Sequence, residues 1–109
     1  MSWDVWMEID TGGENPAEVS ECGNMTWDVS PMYYDALEFE HGIRGLDGMD
    51  GQSALKHLNK AISKMVRNAE KYRVMNPENG LGNYDSALHF LEVIRNSCVK
   101  NPKAILRVI

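Results

Sequence analysis

The sequence predicts an α+β fold. It reads as a small antiparallel sheet, formed by an N-terminal hairpin plus a C-terminal strand, packed against two main helices and one short helix. Three observations carry this expectation. Apolar and polar residues alternate near the N-terminus, apolar residues recur at three- and four-residue spacing in two central stretches, and the C-terminal tail is rich in branched aliphatic residues. At 109 residues the chain is expected to be a single domain, 1–109, large enough to fold around its own core.

The elements follow in order. In residues 3–10, Trp3, Val5, Met7 and Ile9 fall on one face of a strand, and Asp4, Trp6, Glu8 and Asp10 on the other. Trp6 on the polar face needs a cover: a loop, a partner chain or a ligand. Thr11–Pro16 has the composition of a turn, and residues 17–22 read as the returning strand, which Gly23-Asn24 is expected to break. Residues 25–29 are expected to be extended or irregular. Ser30-Pro31 offers a cap and a first-turn proline for a short helix 31–38, with Met32, Tyr34 and Leu37 facing inward and His41-Gly42 ending it.

Gly42–Gly51 holds four glycines in ten residues and reads as a loop. A main helix over 52–73 follows, with Leu55, Leu58, Ile62, Met65, Ala69 and Tyr72 in one stripe. Lys56, Lys60, Lys64, Arg67 and Lys71 line its opposite side as a solvated face. Asn76-Pro77 stops that helix, Asn79-Gly80 and Gly82 build a turn, and Asn83 is placed to cap the next helix, 84–100. Tyr84, Ala87, Leu88, Leu91, Ile94 and Cys98 form its core stripe. Asn101-Pro102 ends it, and the tail 104–109 is expected to pair with strand 3–10.

Composition excludes several functions. A formal net charge of −5 and a pI of about 5.1 argue against nucleic-acid polymers and against anionic membrane surfaces. A small anionic ligand remains compatible, because a pocket needs only two or three local cations. No apolar run is long enough to span a membrane, and the first residues carry no secretory pattern, so a cytoplasmic location is expected. In that compartment Cys22 and Cys98 are expected to be buried free thiols.

The sequence contains no complete catalytic or metal-binding pattern. Asp10-Thr11-Gly12 matches the active-site tripeptide of retroviral-type aspartic proteases. Those enzymes are all-β dimers with a second conserved element, so here the tripeptide reads as a hairpin turn. Cys22, Cys98, His41, His57 and His89 are scattered singly, without the paired spacing of a zinc site. Asp47-Gly-Met-Asp50-Gly lacks the remaining ligands of a calcium loop, and phosphate-loop, dinucleotide and serine-elbow motifs are missing. The expectation is a binding protein rather than an enzyme, with no cofactor and no metal.

The candidate binding residues fall in or beside the non-helical segments. Trp6, Trp27, Tyr33 and Tyr84 offer flat faces for stacking, and Asn24, Asn76, Asn79 and Asn83 offer paired donor and acceptor groups. Arg44, between Gly42 and Gly45, could fork onto a phosphate where glycine lets the backbone approach. Aromatic faces with a few directed polar groups suit a nucleotide-like small molecule.

The stretches Asn-x-Thr-Trp-Asp-Val-Ser-Pro-Met (24–32), Gly-Ile-Arg-Gly-Leu-Asp-Gly-Met (42–49) and Met-Asn-Pro-Glu-Asn-Gly-Leu-Gly-Asn-Tyr (75–84) resemble those of small uncharacterised proteins encoded by tailed phages. The resemblance implies an anti-defence role in the host cytoplasm, as a homo-oligomeric sponge that sequesters a nucleotide-derived immune signal without turnover. A dimer through Trp6 or the terminal strand is expected. The alternative is an acidic inhibitor or immunity protein that binds a basic protein partner. That reading rests on Asp4, Glu8, Asp10, Glu14, Glu18 and Glu21 in the hairpin.

Overall fold

Alternation near the N-terminus produces the expected hairpin. In a computed structural model that describes all 109 residues, β1 (Ser2–Ile9) pairs antiparallel with β2 (Ala17–Thr26). Asp10-Thr11-Gly12 is part of the connecting turn: the Gly12 N–H donates to Asp10 Oδ1 at 2.8 Å, and Thr11 Oγ1 donates to the Asn15 carbonyl at 3.2 Å.

β2 is longer than expected, and Gly23 does not break it. Val5 pairs with Gly23 but Trp6 with Glu21, so one residue is extra on β2 at that point. Gly23, at φ +105°, absorbs it as a β-bulge, and pairing then continues to Thr26. Asn24 is therefore a strand residue opposite Asp4.

β3 (Ile105–Val108) pairs antiparallel with the other side of β1, giving the order β2-β1-β3. Trp3, Val5, Met7, Leu106 and Val108 are buried on one face of the sheet, under the helices. Asp4, Trp6, Glu8 and Arg107 lie on the opposite, open face.

The helical layer contains α1 (Ser30–Leu37), α2 (Gly51–Arg67), α3 (Ala69–Arg73) and α4 (Tyr84–Lys100). In α1 the inward set is Met32, Tyr33, Ala36 and Leu37. Tyr34, expected inside, points to solvent, and Tyr33 takes the core position. Ser30 is the first helical residue rather than the cap: a 3-10 turn over Trp27–Val29, capped by Thr26, runs directly into α1, and the Ser30 hydroxyl donates to the Trp27 carbonyl.

The expected helix 52–73 is two helices. Asn68 separates them: its backbone leaves the helical region (φ −121°, ψ 39°), and its side-chain amide donates to the Lys64 carbonyl at 2.8 Å, beside its own backbone N–H at 3.1 Å. The basic row of α2 is also more than a solvated face. Lys60 pairs with Glu38 at 3.0 Å, and Lys64 and Lys71 pair with Asp35 at 3.6 and 3.0 Å, so α1 is pinned to α2 and α3 by charge as well as by apolar contact. Asp35 is held below the usual carboxylate range, chiefly by the hydroxyl that Tyr72 donates to it.

The glycine-rich stretch after α1 is not a free loop. Gly42–Leu46 forms a 3-10 turn whose Ile43 and Leu46 are fully buried. The following residues seal the outer edge of β3: the Leu106 N–H donates to the Met49 carbonyl at 2.7 Å and the Val108 N–H to Asp47 Oδ1 at 2.9 Å. The terminal strand therefore offers no free edge for pairing with a second chain. Cys22 and Cys98 are buried free thiols, and burial pushes Cys98 up to about 12. No helix is long and apolar enough to cross a membrane.

Candidate functional site

Where β2 ends, the chain turns sharply before α1, and Trp27 sits on that turn. The Thr26 hydroxyl donates to Asp28 Oδ2 at 2.6 Å, and Asn79 Nδ2 donates to Asp28 Oδ1 at 3.1 Å. These two hydrogen bonds, led by Thr26, hold the Asp28 carboxyl below its ordinary range. They also fix the turn that presents Trp27. The Trp27 ring stands 6.3 Å from that of Trp3, which in turn lies 5.7 Å from Tyr33 in the core.

Opposite Trp27, Tyr34 projects from α1 and the 3-10 turn supplies His41 and Arg44. Gly42, at φ +58°, lets that turn pass close to the Tyr34 ring. Trp3, Trp27, Ser30, Tyr34, His41, Arg44 and Asp47 together line a cleft of about 480 Å³. Its volume is within the range of small-molecule sites, roughly 300–1,000 Å³. Trp27 is 40% exposed and Tyr34 51%, so two aromatic faces remain open to a guest.

The charges of the cleft differ in their commitments. Asp47 accepts from Arg107 Nε and from the Val108 N–H, both at 2.9 Å. Burial raises its carboxyl, but Val108 and Arg107 outweigh burial and hold it below the ordinary range. Arg44 takes part in none of the ion pairs or side-chain hydrogen bonds of the molecule. Its guanidinium is thus a cation at the cleft with its donors unspent.

Comparison of the chain with protein-family models, with curated proteins and with solved structures finds no match. The site must be read from its own chemistry.

Of the residues singled out from sequence, only Trp27 and Arg44 meet in this cleft. Tyr33 is fully buried and donates its hydroxyl to the Ala87 carbonyl at 2.8 Å, so it joins α1 to α4 instead of facing a ligand. Tyr84 is buried as well, donating to the Met65 carbonyl at 2.9 Å with the Arg73 guanidinium 4.9 Å from its ring centre.

The asparagines are all occupied by the chain itself. Asn24 Nδ2 donates to Ser2 and Asp4 across the hairpin, each at 2.9 Å. Asn76 Oδ1 accepts from the Tyr84 N–H, Asn79 bonds Asp28 and the Leu81 N–H, and Asn83 caps α4 in a reciprocal box with Ser86. The 74–83 segment is ordered by these bonds rather than by a guest. Trp6 lies on the open sheet face, where its Nε1 donates to Glu8 Oε2 at 3.0 Å, away from the cleft.

Sequence reasoning missed Trp3, Ser30, Tyr34, His41 and Asp47 as lining residues. For Tyr34 a signal was available. A helix starting at Ser30 with Met32, Ala36 and Leu37 inside places Tyr33, not Tyr34, on the same stripe. Asp47 carries no such signal, because its partners are at the far end of the chain.

Proposed function

We infer that the protein binds a small molecule with a flat ring and an anionic group, a nucleotide or nucleotide-derived molecule being the best fit, and holds it without turnover. The observation that supports this most directly is Arg44, which acts on Asp47 through space but makes no hydrogen bond or close ion pair with any carboxylate, at a cleft bordered by the exposed rings of Trp27 and Tyr34. A base would stack on an aromatic face while the guanidinium forks onto phosphate oxygens. Ser30 and His41 add polar groups at the rim of the same cleft. Taken with the resemblance to small phage proteins, this is the chemistry of a sponge that withdraws a nucleotide immune signal from its receptor.

The test is calorimetric titration with a panel of mononucleotides, cyclic nucleotides, cyclic dinucleotides and ADP-ribose, followed by heat denaturation and chromatography of the released ligand. One class should bind, be recovered intact, and lose affinity about tenfold or more in Arg44→Ala, the scale of a lost charge-assisted hydrogen bond. Trp27→Ala should weaken binding similarly. Absence of binding across the panel, or affinity indifferent to Arg44, would remove this reading. Recovery of a chemically altered ligand would replace it with an enzymatic one.

A further inference from the structure

The charge of this molecule is divided unevenly between its parts. Residues 1–26 contain six carboxylates (Asp4, Glu8, Asp10, Glu14, Glu18 and Glu21) and no lysine or arginine, a formal −6. The remaining residues carry ten carboxylates against eleven lysines and arginines, a formal +1, so the whole net charge of −5 resides on the hairpin. The hairpin is also the part that the helices cover on one side only.

Strand register shows what the open face presents. Trp6 is in the central strand, beside Glu21 of β2 and Arg107 of β3. Asp4, Glu8 and Glu18 share that face, since Asp4 pairs with Asn24 and Glu8 with Glu18. Trp6 is held in place by its hydrogen bond to Glu8 Oε2, while the other oxygen of Glu8 accepts from Arg107 at 3.1 Å. Arg107 is the one cation here, and Glu8 and Asp47 both bind it. Beside this array lies a depression of about 430 Å³, with Ile9, Pro16 and Ile105 among its apolar residues; Arg107 also lines it and is bound to Glu8 and Asp47, so Asp10 and Glu14 are the lining carboxylates without an ion-pair partner.

We propose that the open face of the sheet is a docking surface for an arginine-bearing segment of another protein. A guanidinium of that segment stacks on Trp6, and a second enters the carboxylate-walled depression beside it. Charge complementarity selects this occupant. A second copy of the chain would set one six-carboxylate hairpin against another, and a nucleic acid would be repelled outright. Arginine suits the face better than lysine, because it can stack on the indole while forking onto carboxylates. The concentrated charge would also steer a basic partner toward this side of the molecule. The surface and the cleft of Trp27 and Arg44 share Asp47 alone among their lining residues, and neither Trp6 nor the hairpin carboxylates line the cleft, so variants at those positions test this face by itself.

Octa-arginine is the probe, titrated into the isotopically labelled protein at moderate salt and followed by amide and indole resonances. The Trp6 indole N–H and the amides of residues 4–8 and 18–24 should shift, while those of residues 41–46 stay in place. Trp6→Ala should weaken binding about tenfold, as loss of a central aromatic contact does. The charge reversal Glu18→Lys with Glu21→Lys, on the edge strand and remote from the core, should do the same in a protein of unchanged fold. Octa-lysine should bind several-fold more weakly. Shifts spread evenly over the surface, or affinity unaffected by both variants, would overturn the proposal. So would sedimentation equilibrium showing self-association through this face, which would assign it to a second copy.

Discussion

Asp47 Oδ1 accepts from both the Arg107 guanidinium and the Val108 N–H, each at 2.9 Å, and so ties the glycine-rich segment to the terminal strand. The same carboxylate stands between the two surface depressions, lining both. Replacing it should therefore act on stability first. Asp47→Ala is expected to destabilise the fold by about 1–2 kcal/mol, since it leaves the Val108 N–H without its acceptor and the Arg107 guanidinium with Glu8 alone. The shift in urea midpoint at neutral pH measures it.

The pH dependence of that contribution has a definite sign. Asp47 titrates below its ordinary value in the folded chain. Its stabilisation is therefore complete above the unfolded carboxylate pKa, about 3.9, and is lost as pH falls through the lower folded value. Asp47→Asn keeps an oxygen acceptor for Val108 but carries no charge. The gap between the urea midpoints of parent and variant should narrow as pH falls from neutral toward pH 3. A gap that stays constant throughout would contradict the assignment.

Tyr33 and Tyr34 are neighbours in sequence with opposite duties. Tyr33→Phe should cost about 1 kcal/mol of stability through the lost bond to Ala87, and leave the affinity of the cleft unchanged. Tyr34→Ala, at an exposed position, should leave the melting temperature nearly unchanged and weaken ligand binding. Thermal melts and titrations on the two variants separate the roles.

Gly51 reverses a general rule. Alanine in a helix normally gains up to about 1 kcal/mol over glycine. Here a Cβ would come within 2.5 Å of the Asn101 carbonyl oxygen and 3.1 Å of that of Cys98. Both contacts are backbone and cannot swing aside, so Gly51→Ala should destabilise by about 1–3 kcal/mol. Chemical denaturation is sufficient to read the sign.

Asn83 and Ser86 exchange capping hydrogen bonds: the Ser86 N–H donates to Asn83 Oδ1 and the Asn83 N–H to Ser86 Oγ. Asn83→Ala should lower stability by about 1 kcal/mol without altering ligand affinity, whereas Arg44→Ala should do the reverse. Pairing calorimetric titration with thermal denaturation on the two variants distinguishes a cap from a contact.

The hairpin, α4 and the terminal strand were legible because each is specified by local pattern: alternation in β1, a stripe with a matched cap in α4, branched residues in β3. Asn68 shows where such patterns mislead. The apolar spacing continues through it to Tyr72, yet its backbone leaves the helical region while its side-chain amide bonds the Lys64 carbonyl. Gly23 misleads in the opposite direction, since a residue that would end an isolated strand becomes a bulge when a partner strand holds both sides of it. The asparagines selected as ligand groups were turn, cap and cross-strand residues. Their donors look available in a sequence because their backbone partners cannot be seen there.

Alone, the order of residues determined an α+β chain of acidic character, the hairpin turn and the stops at Asn76-Pro77 and Asn101-Pro102, and most of the inward stripes of α2 and α4, all of which follow from interactions within a few positions along the backbone. Tertiary structure decided the rest. It buried Tyr33 and Tyr84, drew Trp27 and Arg44 to one cleft with Tyr34 and His41, and set Asp47 against Arg107. Those choices depend on groups far apart in the chain meeting in space, and on which polar atoms are already satisfied once they do. Local spacing encodes neither.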